Sequence, residues 1–402
     1  MFKSFEWRLP TTIQSGPGKL NEIGKVVQGL GKRCLIVTTA PEPWNRAMVA
    51  RVVALLASAG IESHWFSGVG GNPTTDQISA GAALAREFRA NVVLGLGGGS
   101  AMDGAKAIAV EATHPGTAWD YLWFRETQAT SATLPVIAVS TTSGTGSQVT
   151  QVAVVTKSDE RCKSAIYNDI ILPRVAVVDP ELMLSVPPRM TAFTGFDALT
   201  HAFESFLHPN RDAFVDMMAR EAISIVLEWL PVVVADGKNL EGRCQMALAD
   251  TLAGMCILRA GVTLPHGMGM AIGGMYPHVA HGQALAIVYP AFLGYTHAAA
   301  VRQFAWLAHQ IDPATKALDD AAAAAAAEPL LTRFIERIGI AQKLRDVNVP
   351  ESELEVLTDC KRYEHTPVCT GCSGGYVARA NRLGIQNWRM ASTTAGMSRH
   401  DS

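Results

Sequence analysis

Strand-like and helical segments alternate over residues 1–185 and give way to helices alone over 186–402, which predicts an α/β domain followed by an all-helical domain. Three observations carry that reading. Short β-rich apolar runs recur ahead of glycine or serine loops, segments of helical periodicity lie between them, and strand-like runs become few beyond Pro187-Pro188. Alternation of this kind argues for a parallel sheet wound with helices on both faces.

Cys34-Leu-Ile-Val37 is the first apolar run, and Asn91-Val-Val-Leu-Gly95 and Pro135-Val-Ile-Ala-Val139 repeat the pattern. Helical periodicity covers 46–59 and 75–89. Gly97-Gly98-Gly99 follows the second run and precedes a helix-like stretch over 103–110. Glycines let a backbone come close to a pyrophosphate, and the next helix presents free N–H groups and a positive dipole end to it. The α/β domain is therefore read as a Rossmann-like nucleotide-binding domain, with a tight ligand-free turn as the plainer alternative. Helices are expected over 190–208, 212–230, 240–260 and 300–309. Seven consecutive alanines, 321–327, read as helical filler or a tolerant surface turn.

A chain of 402 residues can bury a large core and is expected to hold two domains. With 34 basic against 36 acidic residues it has no bulk field for nucleic acid or an anionic membrane. No apolar run has the length of a signal segment or of a membrane span, so a soluble cytoplasmic protein is expected. Seven scattered cysteines suit a reducing compartment better than a disulfide framework. Cys34, Cys162, Cys244 and Cys256 read as small core or surface residues. Cys360, His365, Cys369 and Cys372 offer a second zinc site, although a Cys-x-x-Cys without a matched partner pair is more often chance.

The chemistry gathers at Asp197-Ala-Leu-Thr-His201, where a carboxylate and an imidazole four residues apart project from one helix face and can grip one cation. His266 and His281 can complete the shell. On one continuous helix they would stand about 22 Å apart, so a break is required. Gly273-Gly274 and Pro277 are expected to supply it, placing each histidine near the start of its own helix. One Asp and three His suit Fe²⁺ or Zn²⁺ and leave a position for a substrate oxygen.

Together with Gly97-Gly-Gly-Ser100-Ala-Met-Asp103 and Ser140-Thr-Thr-Ser-Gly-Thr-Gly-Ser147, this metal set resembles the iron-dependent (group III) alcohol dehydrogenase family. The resemblance runs from Pro10 to about Val349. It includes Asp179-Pro-Glu-Leu182, Pro187-Pro188 and 194–204 in the family's order. It implies a dehydroquinate synthase-like fold and an enzyme interconverting a primary alcohol and its aldehyde with NAD(P), commonly as a homodimer or larger homo-oligomer. Asp197, His201, His266 and His281 would hold the metal. Gly98, Gly99, Ser100, Asp103, Thr141, Thr142, Thr145, Lys163 and Leu182 would line the cofactor, Asp103 having a helix-start cap as its plainer role. Many NAD-using relatives carry an aspartate after the first strand, where this chain has Thr39, so repulsion of a 2′-phosphate is absent. Both cofactors are expected, with a lean to NADP(H) and Arg46 as the nearby cation.

The chain departs from the family in places. Met270 stands where many relatives have a proton-passing histidine, leaving water, a threonine hydroxyl, the cofactor ribose or His278 for that role. Arg259 stands on a helix that lines the substrate pocket in relatives, where it could clamp a short substrate carrying an anionic group; otherwise it pairs with a surface acid. Residues 359–402 form a divergent tail. A dehydroquinate-synthase-like lyase is disfavoured because the central motifs lack a dense set of Lys and Arg, and a non-catalytic oligomeric scaffold is the third reading.

Overall fold

A parallel strand covered on both faces is apolar along its whole length, because neither face meets water. The computed structural model describes residues 4–357. The chain runs through β1 (Thr12–Ser15), α1 (Ile23–Gln28), β2 (Arg33–Thr39), α2 (Pro43–Ser58), β3 (Glu62–Val69), α3 (Thr75–Glu87), β4 (Val92–Gly97) and α4 (Gly99–Glu111). It continues through β5 (Val136–Ser140), β6 (Val152–Lys157), β7 (Cys162–Tyr167) and β8 (Val175–Val178). The three apolar runs supply the centres of β2, β4 and β5, where the side chains of Cys34 to Val37, Val92 to Leu94 and Val136 to Val139 are buried. Two clusters, one around Ile36, Leu94 and Val139 and one around Leu35, Val93 and Ile108, make up the core on either side of the sheet.

Six strands pair in the order β1-β8-β5-β4-β2-β3, every pair parallel. From β2 the chain moves outward to β3 and then returns to β4 on the other side, so the connections after β2 and β4 diverge. Such a switch point leaves a crevice at the carboxyl ends of the strands, where ligands bind in open α/β sheets. Gly95 lets α4 seat on the sheet, because a Cβ there would meet the Met102 Cα at 2.9 Å. An antiparallel hairpin of β6 and β7, not foreseen from the sequence, interrupts the alternation.

From Pro187 onward only helices follow. Pro188 opens α5 (Pro188–Leu207), where its missing N–H costs nothing. Then come α6 (Ala213–Ala235) and α7 (Leu240–Ala260), capped at their starts by the side chains of Asp212 and Asn239. The chain goes on through α8 (Leu264–Met275), α9 (His281–Thr296), α10 (Val301–Ile311) and α11 (Asp320–Arg337). The alanine run is more than filler: Ala323, Ala324 and Ala327 are fully buried along one side of α11, which neighbours α10.

The described residues form two compact units, the first ending at Val262 and the second beginning at Thr263. The helices α5, α6 and α7 belong with the sheet. No single helix among the described residues is long and apolar enough to cross a membrane. Cys34, Cys244 and Cys256 are free thiols. Cys360, His365, Cys369, Cys372 and the 359–402 tail lie outside the described residues.

Candidate active site

Within the first unit, the carboxyl ends of β2, β4 and β5 bring Thr39, Gly98, Gly99, Thr141, Thr142 and Thr145 to one edge of the sheet. Gly98 is the N-cap residue of α4 and uses no side-chain cap, so the first-turn amides face the crevice without a competing carboxylate. The two loops touch. A Cβ on Gly98 would meet the Thr142 Oγ1 at 3.0 Å, one on Gly99 would meet the Thr145 Cγ2 at 2.5 Å, and the Thr141 amide donates to the Gly97 carbonyl. Ser100 donates its hydroxyl to the Gly71 carbonyl, tying α4 to the loop after β3. Leu182 lies in a 3₁₀ turn, packed against the core beneath β2 and β5.

Asp103 is not a cap. It is the fifth residue of α4, largely but not fully buried, and accepts from the Ser147 hydroxyl at 2.6 Å and the Val154 amide at 3.0 Å. It holds the second loop and the hairpin against α4, and burial pushes its carboxyl above the usual range. Lys106, one turn on, was not singled out from the sequence. Its ammonium is fully buried, donates to the carbonyls of Ser147, Thr150 and Val152, and lies 3.9 Å from Asp103. Burial draws it down to about 8. A lysine three residues after an aspartate, inside the apolar run Ala105 to Val110, was the available signal.

Lys163, on β7, donates to the Asn72 side chain at 2.8 Å. Burial lowers it to about 8, against the pull of the Asp103 and Asp197 carboxylates. Arg46 is exposed and donates to the Pro41 carbonyl.

On α5, Asp197 and His201 are buried with Oδ1 and Nε2 3.6 Å apart. Two ligands each about 2.1 Å from a tetrahedral ion stand about 3.4 Å apart, so the pair fits two corners of such a site. His201 Nδ1 lies 3.0 Å from the Gly144 carbonyl, which can only accept. The ring proton therefore sits on Nδ1 and Nε2 carries the lone pair towards Asp197. Gly144 and Gly146 donate their amides to one oxygen of Asp250, each at 2.8 Å, and Gln148 donates to the other. Asp250 is fully buried on α7, and burial raises its carboxyl to about 6. An acid inside the apolar stretch Met246 to Met255 marked it, but nothing in the sequence said what it holds.

Within the second unit, His266 is the third residue of α8 and His281 the first of α9, with ring centroids 5.2 Å apart. The break between them falls at Tyr276 to Ala280, around Pro277. Gly273 and Gly274 do not make it, because both stay inside the last turn of α8. Gly269 has the more specific role: a Cβ there would meet the His281 Cε1 at 3.2 Å. Met270 is buried.

The two side chains expected to take part in catalysis have other partners in the structure. His278 is exposed, and its Nε2 is bonded to the Val347 carbonyl at 2.9 Å, with Tyr276 edge-on beside the ring. It is a polar residue ahead of a helix start. The guanidinium of Arg259 is paired through Nε with Asp212 Oδ2 at 2.9 Å. Asp212 is the cap of α6 and also accepts from Trp7, so Arg259 is anchored in a structural pair.

Residues 10–180 match the iron-containing alcohol dehydrogenase family, and residues 191–367 match its C-terminal region. The chain is 35% identical to long-chain-alcohol dehydrogenase 1 of Geobacillus thermodenitrificans over 87% of its length and 88% of that protein's. It is 30% identical to the NAD-dependent methanol dehydrogenase of Bacillus methanolicus, covering 87% and 91% of the two chains. Among solved structures it superposes on an archaeal alcohol dehydrogenase from a Red Sea brine pool with a TM-score of 0.89 and 31% identity, over 97% of this chain and 100% of that one.

Proposed function

We propose a metal-dependent hydride transfer between a primary alcohol and its aldehyde, with NAD(P) as the hydride carrier, for this chain, which belongs to the iron-containing alcohol dehydrogenase family. The observation that carries the proposal is the Asp197–His201 pair, buried at ligand spacing with the histidine tautomer set by the Gly144 carbonyl. Asp197, His201, His266 and His281 would hold Fe²⁺, or Zn²⁺ in its place, one carboxylate and three neutral imidazoles leaving a net positive site. An ion held there would polarise the substrate oxygen while a bound nicotinamide exchanges hydride with the adjoining carbon.

The chain's own residues position and hold. The amides at the start of α4 and the hydroxyls of Thr141, Thr142 and Thr145 would take the dinucleotide, Lys163 would answer its negative charge, and Asp103 with Lys106 would keep the two loops in register. Met270 carries no proton, so proton exchange is assigned to water or a threonine hydroxyl. Thr39 offers a neutral hydroxyl where a carboxylate would repel a 2′-phosphate, which supports use of NADH and NADPH both, with a lean to NADPH.

The substrate is proposed to be uncharged, because Arg259 is engaged with Asp212. Relatives named for methanol and for long-chain alcohols leave its length open. The test is anaerobic purification with Fe²⁺ or Zn²⁺, followed by NADH and NADPH absorbance against short aldehydes, neutral and anionic. Turnover that disappears in folded Asp197→Ala and His266→Ala supports the proposal. Bound metal with no turnover of any aldehyde or alcohol overturns it.

A further inference from the structure

Asp250 is a buried carboxylate with no part in the chemistry above, yet it sits one peptide from a metal-site histidine. Its Oδ1 accepts the amides of Gly144 and Gly146 on either side of Thr145, and the Gly144 carbonyl accepts from His201 Nδ1. The turn has no slack. A Cβ on Gly144 would strike the Thr194 carbonyl on α5 at 2.6 Å, and one on Gly146, whose φ is +61°, would strike the Gly254 Cα on α7 at 2.4 Å. The turn's backbone is thus pressed between α5 and α7, and Asp250 is the group that takes both of its inward amides.

We propose that Asp250 is the positioning residue for His201: by pinning the 144–146 turn it aims the Gly144 carbonyl at Nδ1, and so fixes the ring angle and tautomer that present Nε2 for ligation. Groups of this kind behind a ligating histidine typically change metal affinity by about 10–100-fold when lost. The inference rests on the metal reading of Asp197 and His201.

What Asp250 supplies is hydrogen-bond acceptance, and the negative charge is incidental. Asparagine keeps the Oδ1 acceptor for both amides. Its new NH₂ would face Gln148, whose amide can flip to present Oε1, an oxygen that is buried and makes no hydrogen bond in its present orientation. Asp250→Asn should therefore behave as wild type, and Asp250→Ala should not.

The experiment uses full-length protein labelled with ¹⁵N-histidine, first metal-free and then titrated with Co²⁺ in competition with a chelator. The expected result is a slowly exchanging His201 Nδ1–H signal in wild type and Asp250→Asn that broadens away in Asp250→Ala. Co²⁺ affinity should fall about 10–100-fold in Asp250→Ala alone. Should Asp250→Ala not fold, Asp250→Thr, whose hydroxyl can accept from only one of the two amides with comparable geometry, takes its place with a smaller loss of both signals. A signal and Co²⁺ affinity unchanged in the folded Ala or Thr variant overturn the proposal, as does an Asn variant that behaves like Ala. Wild type that shows the Nδ1–H signal but binds no Co²⁺ refutes the metal reading alone, and the signal's response to Asp250→Ala still decides whether Asp250 positions His201.

Discussion

The edge of the sheet that would receive the dinucleotide and the four residues that would receive the metal are built on opposite principles. The first is made of backbone: glycines, amide groups at a helix start and small hydroxyls, held by Asp103 and Lys106 from behind. The second is made of side-chain donors, one carboxylate and three imidazoles, each replaceable by a single substitution. A backbone surface is lost by adding bulk, a ligand set by removing an atom.

The largest effect should follow from attacking the ligands. Asp197→Ala or His266→Ala should lower kcat/KM at least about 10³-fold with loss of bound metal, since several kcal/mol of charge stabilisation disappear. Dinucleotide affinity, measured by fluorescence titration, should change little. The converse experiment is Gly99→Ala, whose methyl collides with Thr145. Overpacking should destabilise by about 1–3 kcal/mol and weaken cofactor binding while metal content stays intact. Thr145→Ala added to that chain should recover most of the stability, measured by thermal melting.

A smaller effect sharpens the electrostatic side of the comparison. Lys163 is depressed to about 8, so it is charged below that pH and neutral above it. Binding an anion favours the charged form. Cofactor affinity should therefore be level below pH 8 and fall roughly tenfold as pH rises past it, about 1.4 kcal/mol. Lys163→Met should flatten that profile. The smallest effect belongs to Arg259→Gln, which removes the partly exposed partner of the buried Asp212, a carboxylate that keeps the Phe214 and Val215 amides. It should cost about 1 kcal/mol of stability and leave kcat/KM on neutral and anionic aldehydes within about twofold of wild type. A selective loss on anionic aldehydes would restore the clamp reading.

Local patterns were legible because they depend on near neighbours. The runs at 34–37, 91–95 and 135–139 read as strands, Gly97 to Gly99 as a tight turn into a helix, and Asp197 with His201 share a helix face at any tertiary arrangement. The need for a break between His266 and His281 followed from helix rise alone, yet its place did not: Gly273 and Gly274 remain buried and helical, and α8 ends at Met275, just ahead of Pro277. The β6–β7 hairpin was missed because its alternation is weak and its two strands are joined by charged residues that read as loop.

Chain order thus sufficed for the α/β-then-helical architecture and for the set of candidate ligands, since hydrophobic period and residue spacing are properties of consecutive residues. Partners remote in sequence needed the fold. Whether Arg259 faces a substrate or Asp212, whether Asp103 caps a helix or ties a loop 44 residues away, and what Asp250 holds are choices among distant groups. A buried charge takes whichever partner packing brings within hydrogen-bond reach, and no local pattern encodes that distance.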